Sequence, residues 1–257
     1  MKIFAITNNK GGVGKTTTAL NMAGGLRAVG CNVLLVDMDG QCNLTDSVLT
    51  KPDTTGGNTF DLLTDKTARP KPVRIRTADN RAGVLDLLPA STNLATFAPG
   101  SVDFDVLFSF PKAVQDYAKK YDVVIIDTPP AFGVCNLASL YAADVAIIPM
   151  IPDILPFRGF VAVRDTLAVV ERTRRRPLPY RVLFNQVQAR KNLHAVVMAQ
   201  VRPDERFSAT IRQNVALAES PSMYCDVFEY RPTSPGAADY ARFINETIQT
   251  YDIKIHK

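Results

Sequence analysis

Residues 8–17 read NNKGGVGKTT, and the fold turns on them. Gly14, Lys15 and Thr16 fill the last three fixed positions of the phosphate-loop pattern G-x-x-x-x-G-K-[ST], while Asn9 stands where its first glycine belongs. A second lysine, Lys10, lies in the variable stretch, where the pattern assigns it no role. Before the loop, Ile3 to Thr7 is a short apolar run suited to a buried strand. After it, Ala19, Leu20, Ala23 and Leu26 recur at three- and four-residue spacing, so a helix is expected over 16–27, closed by Gly30. NVLLVD at 32–37 reads as the next strand. Strand, glycine loop, helix and strand make a βαβ unit, which favours a parallel sheet.

The pattern continues outward. Strands are expected at 84–90 (VLDLLPA), 122–130 (DVVIIDTPP), 144–150 (DVAIIPM) and 180–185 (YRVLFN). A helix from 157 to 176 carries Phe160, Val163, Leu167 and Val170 on one stripe and stops at Pro177. Another helix ends in VQDYAKKY, and a last one covers 236–251. Residues 50–80 are the least patterned, with one short helix near Phe60 to Leu63. Strands apolar on both faces, alternating with helices, predict an α/β fold: a doubly wound, mostly parallel sheet flanked by helices, of the P-loop type. No linker or repeat divides the chain, so residues 1–257 are expected to form a single domain.

Bulk properties narrow the function. The chain has 257 residues, 46% of them hydrophobic and 21% charged, a globular composition. No run of 18 apolar residues suggests a membrane span, and the N-terminus lacks the long apolar core of an export signal. Cys31, Cys42, Cys135 and Cys225 form no C-x-x-C pair and read as reduced thiols in a cytoplasmic protein. The net charge of +5 and pI near 9.0 permit binding to nucleic acid without requiring it.

The chemistry clusters around the loop. Backbone N–H groups of a glycine loop opening a helix attract phosphate. Lys15 is placed to reach the terminal phosphates, and Thr16 to offer its hydroxyl to Mg²⁺. Asp127 ends the strand VVIID, beside the loop in a parallel sheet, as a candidate for holding Mg²⁺. Asp37 and Asp39 end the strand before, in VDMDGQCN. Two acids and Gln41 there suggest a switch that senses metal and positions water.

KGGVGKTT, DMDGQ and DVVIIDTPP, in that order, resemble the ParA/MinD family of deviant Walker-type ATPases. VLDLLPASTNLA, IRQNVALAESPS and RPTSPGAADY extend the resemblance over nearly the whole chain and favour its ParA, DNA-segregation branch. The resemblance implies ATP and Mg²⁺ as ligands, and a homodimer with ATP sandwiched between protomers. Lys10 would then reach across to the phosphates held by the other subunit, with Gly11 and Gly12 admitting the close approach. It also implies phosphate binding by the loop Lys10, Gly11, Gly12, Val13, Gly14, Lys15, Thr16 and Thr17, and metal support from Thr16, Asp37 and Asp127. Asp39 would orient the attacking water, Thr128 to Pro130 would belong to the second switch, and Asn185 and Asn214 would lie near the adenine.

For such a protein the expected partners are nonspecific double-stranded DNA and a ParB-like or small centromere-binding protein. Turnover would be slow and partner-stimulated, in a cytoplasmic, nucleoid-associated enzyme. Candidate DNA contacts are Arg172, Arg174, Arg175 and Arg176 in ERTRRRPLPYR, with Arg206 and Arg212. Cations also favour the last turn of a helix, which is the competing reading of the 172–176 run. The family pattern IPRNVRLSEAPS is here IRQNVALAESPS: Gln213 and Ala216 replace two arginines, and Arg212 stands where proline is usual. The first strand begins near residue 3, so no helix-turn-helix segment is expected before the loop. The alternative, a MinD-like membrane-positioning ATPase, would need a basic amphipathic tail. Residues 236–251 instead carry Asp239, Arg242 and Glu246, and the stripe Tyr240, Ile244, Ile248 and Tyr251 reads as core, so no membrane partner is expected.

Overall fold

The apolar runs of the sequence stack side by side. The structure, a computed structural model, describes residues 1–51, 55–75, 77, 83–97 and 104–255. Its strands are β1 (Lys2–Ile6), β2 (Val33–Asp37), β3 (Val73–Arg74), β4 (Leu85–Leu88), β5 (Val123–Asp127), β6 (Val145–Met150) and β7 (Tyr180–Phe184). They form one sheet in the order β3-β4-β2-β5-β1-β6-β7. Every pairing is parallel except that of β3 with β4. The doubly wound α/β expectation is met. The two-residue β3 lies in the stretch the sequence left unpatterned.

Alternate residues of each strand feed two cores, one on each face. Ala5, Val36, Ile126, Ile148 and Phe184 join one, and Phe4, Leu35, Ile125, Ile147 and Leu183 join the other. The helices are α1 (Lys15–Ala28), α2 (Asn43–Asp46), α3 (Thr59–Thr64), α4 (Phe104–Ala118), α5 (Val134–Ala142), α6 (Ile154–Arg174), α7 (Asn192–Ala199), α8 (Val215–Glu219), α9 (Val227–Tyr230) and α10 (Pro235–Tyr251). Side chains of α4, α5 and α6 fill the first core; those of α1 and α10 fill the second. α1 and α10 lie close enough that a Cβ at Gly25 would stand 2.0 Å from Ile244 Cδ1. On α10, Tyr240 and Ile244 are buried, with Ile248 and Tyr251 packed against them, so the C-terminal stripe is core. Among the described residues no helix is long and apolar enough to cross a membrane.

α6 keeps the expected stripe, since Phe160, Val163, Leu167 and Val170 are all buried. It ends earlier than Pro177: Arg175 takes a left-handed φ of 52° and caps it. β1 sits near the middle of the sheet, between β5 and β6. The crevice at the carboxyl ends of these strands therefore opens beside the loop that follows β1.

Candidate functional site

The glycine loop is shaped by its own backbone. Gly14 sits at φ 90°, and a Cβ there would lie 2.1 Å from Asn185 Nδ2. Conformation and space both demand glycine. α1 begins at Lys15 with no side-chain cap and no acid in its first turn, leaving its N-terminus electropositive. Lys15 is 8% exposed, and its Nζ donates to the Lys10 carbonyl at 3.1 Å. Burial holds its pKa below the usual lysine value, opposed by Asp127 and Asp39.

Asp37 and Asp127 are register partners at the ends of β2 and β5. Thr16 Oγ1 donates to Asp127 Oδ2 at 2.7 Å. Asp127 Oδ1 is buried and accepts no hydrogen bond among the described residues. That orphaned oxygen beside a hydroxyl is a hard-donor pair suited to Mg²⁺. Among the described residues no cluster of three His, Cys, Asp or Glu side chains could hold a metal. A cation here must take its other ligands from phosphate and water, as Mg²⁺ does on a nucleotide. Asp37, the other expected metal support, is held by the chain itself. Its Oδ1 accepts the Asp39 N–H at 3.1 Å, and its Oδ2 accepts the N–H and hydroxyl of Thr45 at 2.9 and 2.8 Å. Its carboxylate holds the loop after β2 and acts on Asp127 through charge.

Burial, reinforced by Asp37, pushes the Asp127 carboxyl up to about 8 against the pull of Thr16 and Lys15. Burial likewise pushes Asp37 up to about 6. The folded state then keeps protons that the unfolded chain releases near pH 4, so stability falls as pH rises between about 4 and 8. The urea midpoint of the nucleotide-free protein is expected to drop from pH 5 to pH 8.5. In Asp127→Asn that slope should flatten above pH 6 and the pH 8.5 midpoint should rise; an unchanged slope would show that Asp127 is not the titrating group.

Asp39 is half-exposed at the rim, with Oδ1 accepting the Gln41 N–H at 3.0 Å. A mostly apolar cavity of about 320 Å³ lies between the segment 38–41, residues 129–135 and Leu94 to Phe97. A second cavity of about 320 Å³ is lined by Gly14, Thr17, Asn185, Gln186, Gln213 and Asn214, among others. The two predicted adenine neighbours thus meet in one pocket beside the loop. Asn214 caps α8 by accepting the Ala216 N–H, and Asn185 Nδ2 donates to Val13 O at 3.0 Å. Lys10 has no side-chain hydrogen bond or ion pair among the described residues, and its backbone N–H donates to Asn8 Oδ1 at 3.0 Å.

Several residues escaped the sequence reading. Asn136 is fully buried and donates to Thr7 Oγ1 and Thr128 Oγ1, both at 3.1 Å, joining β1 to the second switch. Asn8 Nδ2 donates to Pro149 O at 2.8 Å. The NN of the opening stretch was the only available signal for Asn8.

The arginines divide. Arg174 donates to the carbonyls of Leu140 and Ala143 at the end of α5, and burial lowers its pKa to about 10. Arg176 donates to Ala143 O and pairs with Asp144 at 3.2 Å. Arg212 pairs with the buried Asp239 through Nε and Nη2, both at 2.8 Å. These three expected DNA contacts are engaged within the fold, because the carbonyls ending α5 and the Asp239 carboxylate need donors. Arg206 lies over the Phe184 ring at 5.9 Å. Arg172 and Arg175 are exposed, with no ion pair among the described residues. α6 runs back from the nucleotide edge, so the 172–176 run lies at the opposite edge of the sheet from Arg212.

The family pattern described as an AAA domain matches residues 1–179. The Bacillus subtilis (strain 168) sporulation initiation inhibitor protein Soj is 32% identical over 253 residues, covering 95% of this chain and 97% of that protein. The chromosome partitioning protein ParA of Myxococcus xanthus is 30% identical over 244 residues, covering 93% of this chain and 85% of that protein. Among solved structures, the cobyrinic acid a,c-diamide synthase of Mycobacterium smegmatis, with bound ATP analogue and magnesium, superposes with a TM-score of 0.80. It is 25% identical, with 100% of each chain covered.

Proposed function

We infer, since this chain belongs to the ParA/Soj family of P-loop ATPases, that it is a DNA-segregation switch driven by ATP. One observation carries the reading. Lys15, Thr16 and Asp127 converge at the ends of β1 and β5, next to a pocket walled by Asn185 and Asn214, while the Lys10 ammonium has no partner among the described residues.

The residues divide the work by position. Phosphate seats on the open N–H groups of the loop and on the N-terminus of α1. Lys15 exchanges the Lys10 carbonyl for phosphate oxygen, a stronger acceptor. Thr16 and Asp127 hold Mg²⁺, which neutralises charge on the terminal phosphates when bound. Asp39, at the rim and within electrostatic reach of Lys15, orients the attacking water. Lys10 reaches the nucleotide of a second copy, so the dimer forms around two ATP molecules. Exposed cations, Arg172 and Arg175 among them, give the dimer sequence-independent affinity for DNA in the cytoplasm. A centromere-binding, ParB-like protein supplies the sequence recognition and the trigger for hydrolysis.

The test measures retention on plasmid DNA of arbitrary sequence. Binding should require ATP and fall steeply between 50 and 200 mM salt, as phosphate contacts demand. Asp39→Ala should lower turnover by about 100-fold, the scale of a lost proton-transfer group, while ATP-dependent DNA binding persists. Hydrolysis at the wild-type rate would refute the role of Asp39. DNA retention indifferent to nucleotide would refute the switch.

A further inference from the structure

Two consecutive side-chain amides reach from the end of β7 to two consecutive peptides of the glycine loop. Asn185 Nδ2 donates to Val13 O at 3.0 Å, and Gln186 Nε2 donates to Gly12 O at 2.9 Å. A peptide is planar and trans, so its C=O and the N–H of the next residue point opposite ways. Holding the Gly12 and Val13 carbonyls toward β7 therefore turns the N–H groups of Val13 and Gly14 away from it. Neither N–H has a hydrogen-bond partner among the described residues. Unpaired N–H groups in a loop of this shape are phosphate donors.

The backbone makes a local exception to achieve this. Along an extended strand consecutive side chains leave on opposite faces. If β7 simply continued, Asn185 and Gln186 could not both reach the loop. Gln186 breaks the alternation at φ 53°, a left-handed conformation uncommon outside glycine. Its N–H donates to Asn185 Oδ1 at 2.9 Å, which leaves the Asn185 amide nitrogen facing Val13. The same segment walls the pocket: Val187 N–H donates to Ile211 O at 2.9 Å, and Gln188 Nε2 to Gln213 Oε1 at 2.5 Å. An unfavourable backbone conformation at a ligand loop, held by two hydrogen bonds, points to a role there.

We propose that Gln186 is a positioning residue: its amide, acting beside that of Asn185, fixes the loop peptides so that the Val13 and Gly14 N–H groups face phosphate. The inference rests on the nucleotide reading above and deepens it. It makes the base-side wall and the phosphate cradle one rigid unit. A base seated between Asn185 and Asn214 then also steadies the loop that carries Lys10.

The test separates this role from base recognition and from fold stability. Gln186→Asn keeps a residue that tolerates left-handed φ but is too short to reach Gly12. Gln186→Met keeps the length and loses the donor. ATP and inorganic tripolyphosphate are each titrated against a bound fluorescent ATP analogue, alongside thermal melting. Both variants should melt within a few degrees of wild type. Both should bind ATP and tripolyphosphate about 3- to 10-fold more weakly, by the same factor for each ligand, as expected for one lost hydrogen bond. Unchanged affinities would overturn the proposal. So would weakened ATP binding with unchanged tripolyphosphate binding, which would make Gln186 a base contact. Wild-type protein that displaced nothing with either ligand would overturn the nucleotide reading, and the clamp with it.

Discussion

Replacing Lys15 with alanine is expected to leave the chain folded and to weaken ATP binding by roughly 30- to 1,000-fold. The scale is that of a lost charge-assisted contact, about 2–4 kcal/mol. Without nucleotide, the buried ammonium has one hydrogen-bond partner among the described residues, the Lys10 carbonyl at 3.1 Å. Burial already pushes its pKa down. A desolvated cation held by one neutral acceptor adds little to the fold. Its removal should leave the melting temperature unchanged or raised, and Lys15→Met should do the same while filling the space of the aliphatic stem. Calorimetric titration with Mg²⁺ and ATP, beside thermal melts, checks both halves. Wild-type affinity in Lys15→Ala would remove the phosphate role. An unfolded Lys15→Ala together with an unfolded Lys15→Met would make the ammonium structural.

The parts of this site that could be read in advance are those whose chemistry is local in sequence. The loop, its flanking strand and helix, and the acids ending β2 and β5 each sit in a run of residues with one physical explanation. What escaped depends on contacts between distant segments. α5 was not expected because it is buried nearly all round, with Val134, Asn136, Ala138, Ser139 and Leu140 all inside, so no amphipathic stripe marks it. The two-residue β3 carries too little pattern to register. Arg174 looked like a surface cation, yet the carbonyls it serves lie more than 30 residues away, at the end of α5. Nothing in VDMDGQCN shows that Thr45, eight residues on, donates both its N–H and its hydroxyl to Asp37. Gln186 carried no signal either, since neither its left-handed backbone nor its reach to Gly12 is visible in a string that predicts an ordinary strand end.

Lys10→Ala should bind ATP within about 3-fold of wild type and fail to dimerise. Both backbone polar groups of Lys10 are engaged without nucleotide: its N–H donates to Asn8 Oδ1, and its carbonyl accepts from Lys15 until phosphate takes that ammonium. Its ammonium has no partner among the described residues. Gly11 beside it is equally unexplained by one copy of the chain. Its φ is not left-handed, and a Cβ there would meet no atom within 4 Å. A free cation next to a glycine that the protomer itself does not require suits an approach from outside. Two Mg²⁺-bound triphosphates of about −2 each, roughly 10 Å apart, repel by about 7 kcal/mol at an effective dielectric of about 20. One cation set about 4 Å from the opposite phosphate returns about 4 kcal/mol per unit charge it meets, so a lysine from each copy reverses the balance. Loss of both should weaken ATP-dependent pairing by about 1,000-fold or more. Light scattering with a non-hydrolysable ATP analogue reads this directly. A Lys10→Ala protein that still doubles its mass with the analogue, or a wild type that pairs equally well with ADP, would mean that association does not run through this lysine and the terminal phosphate.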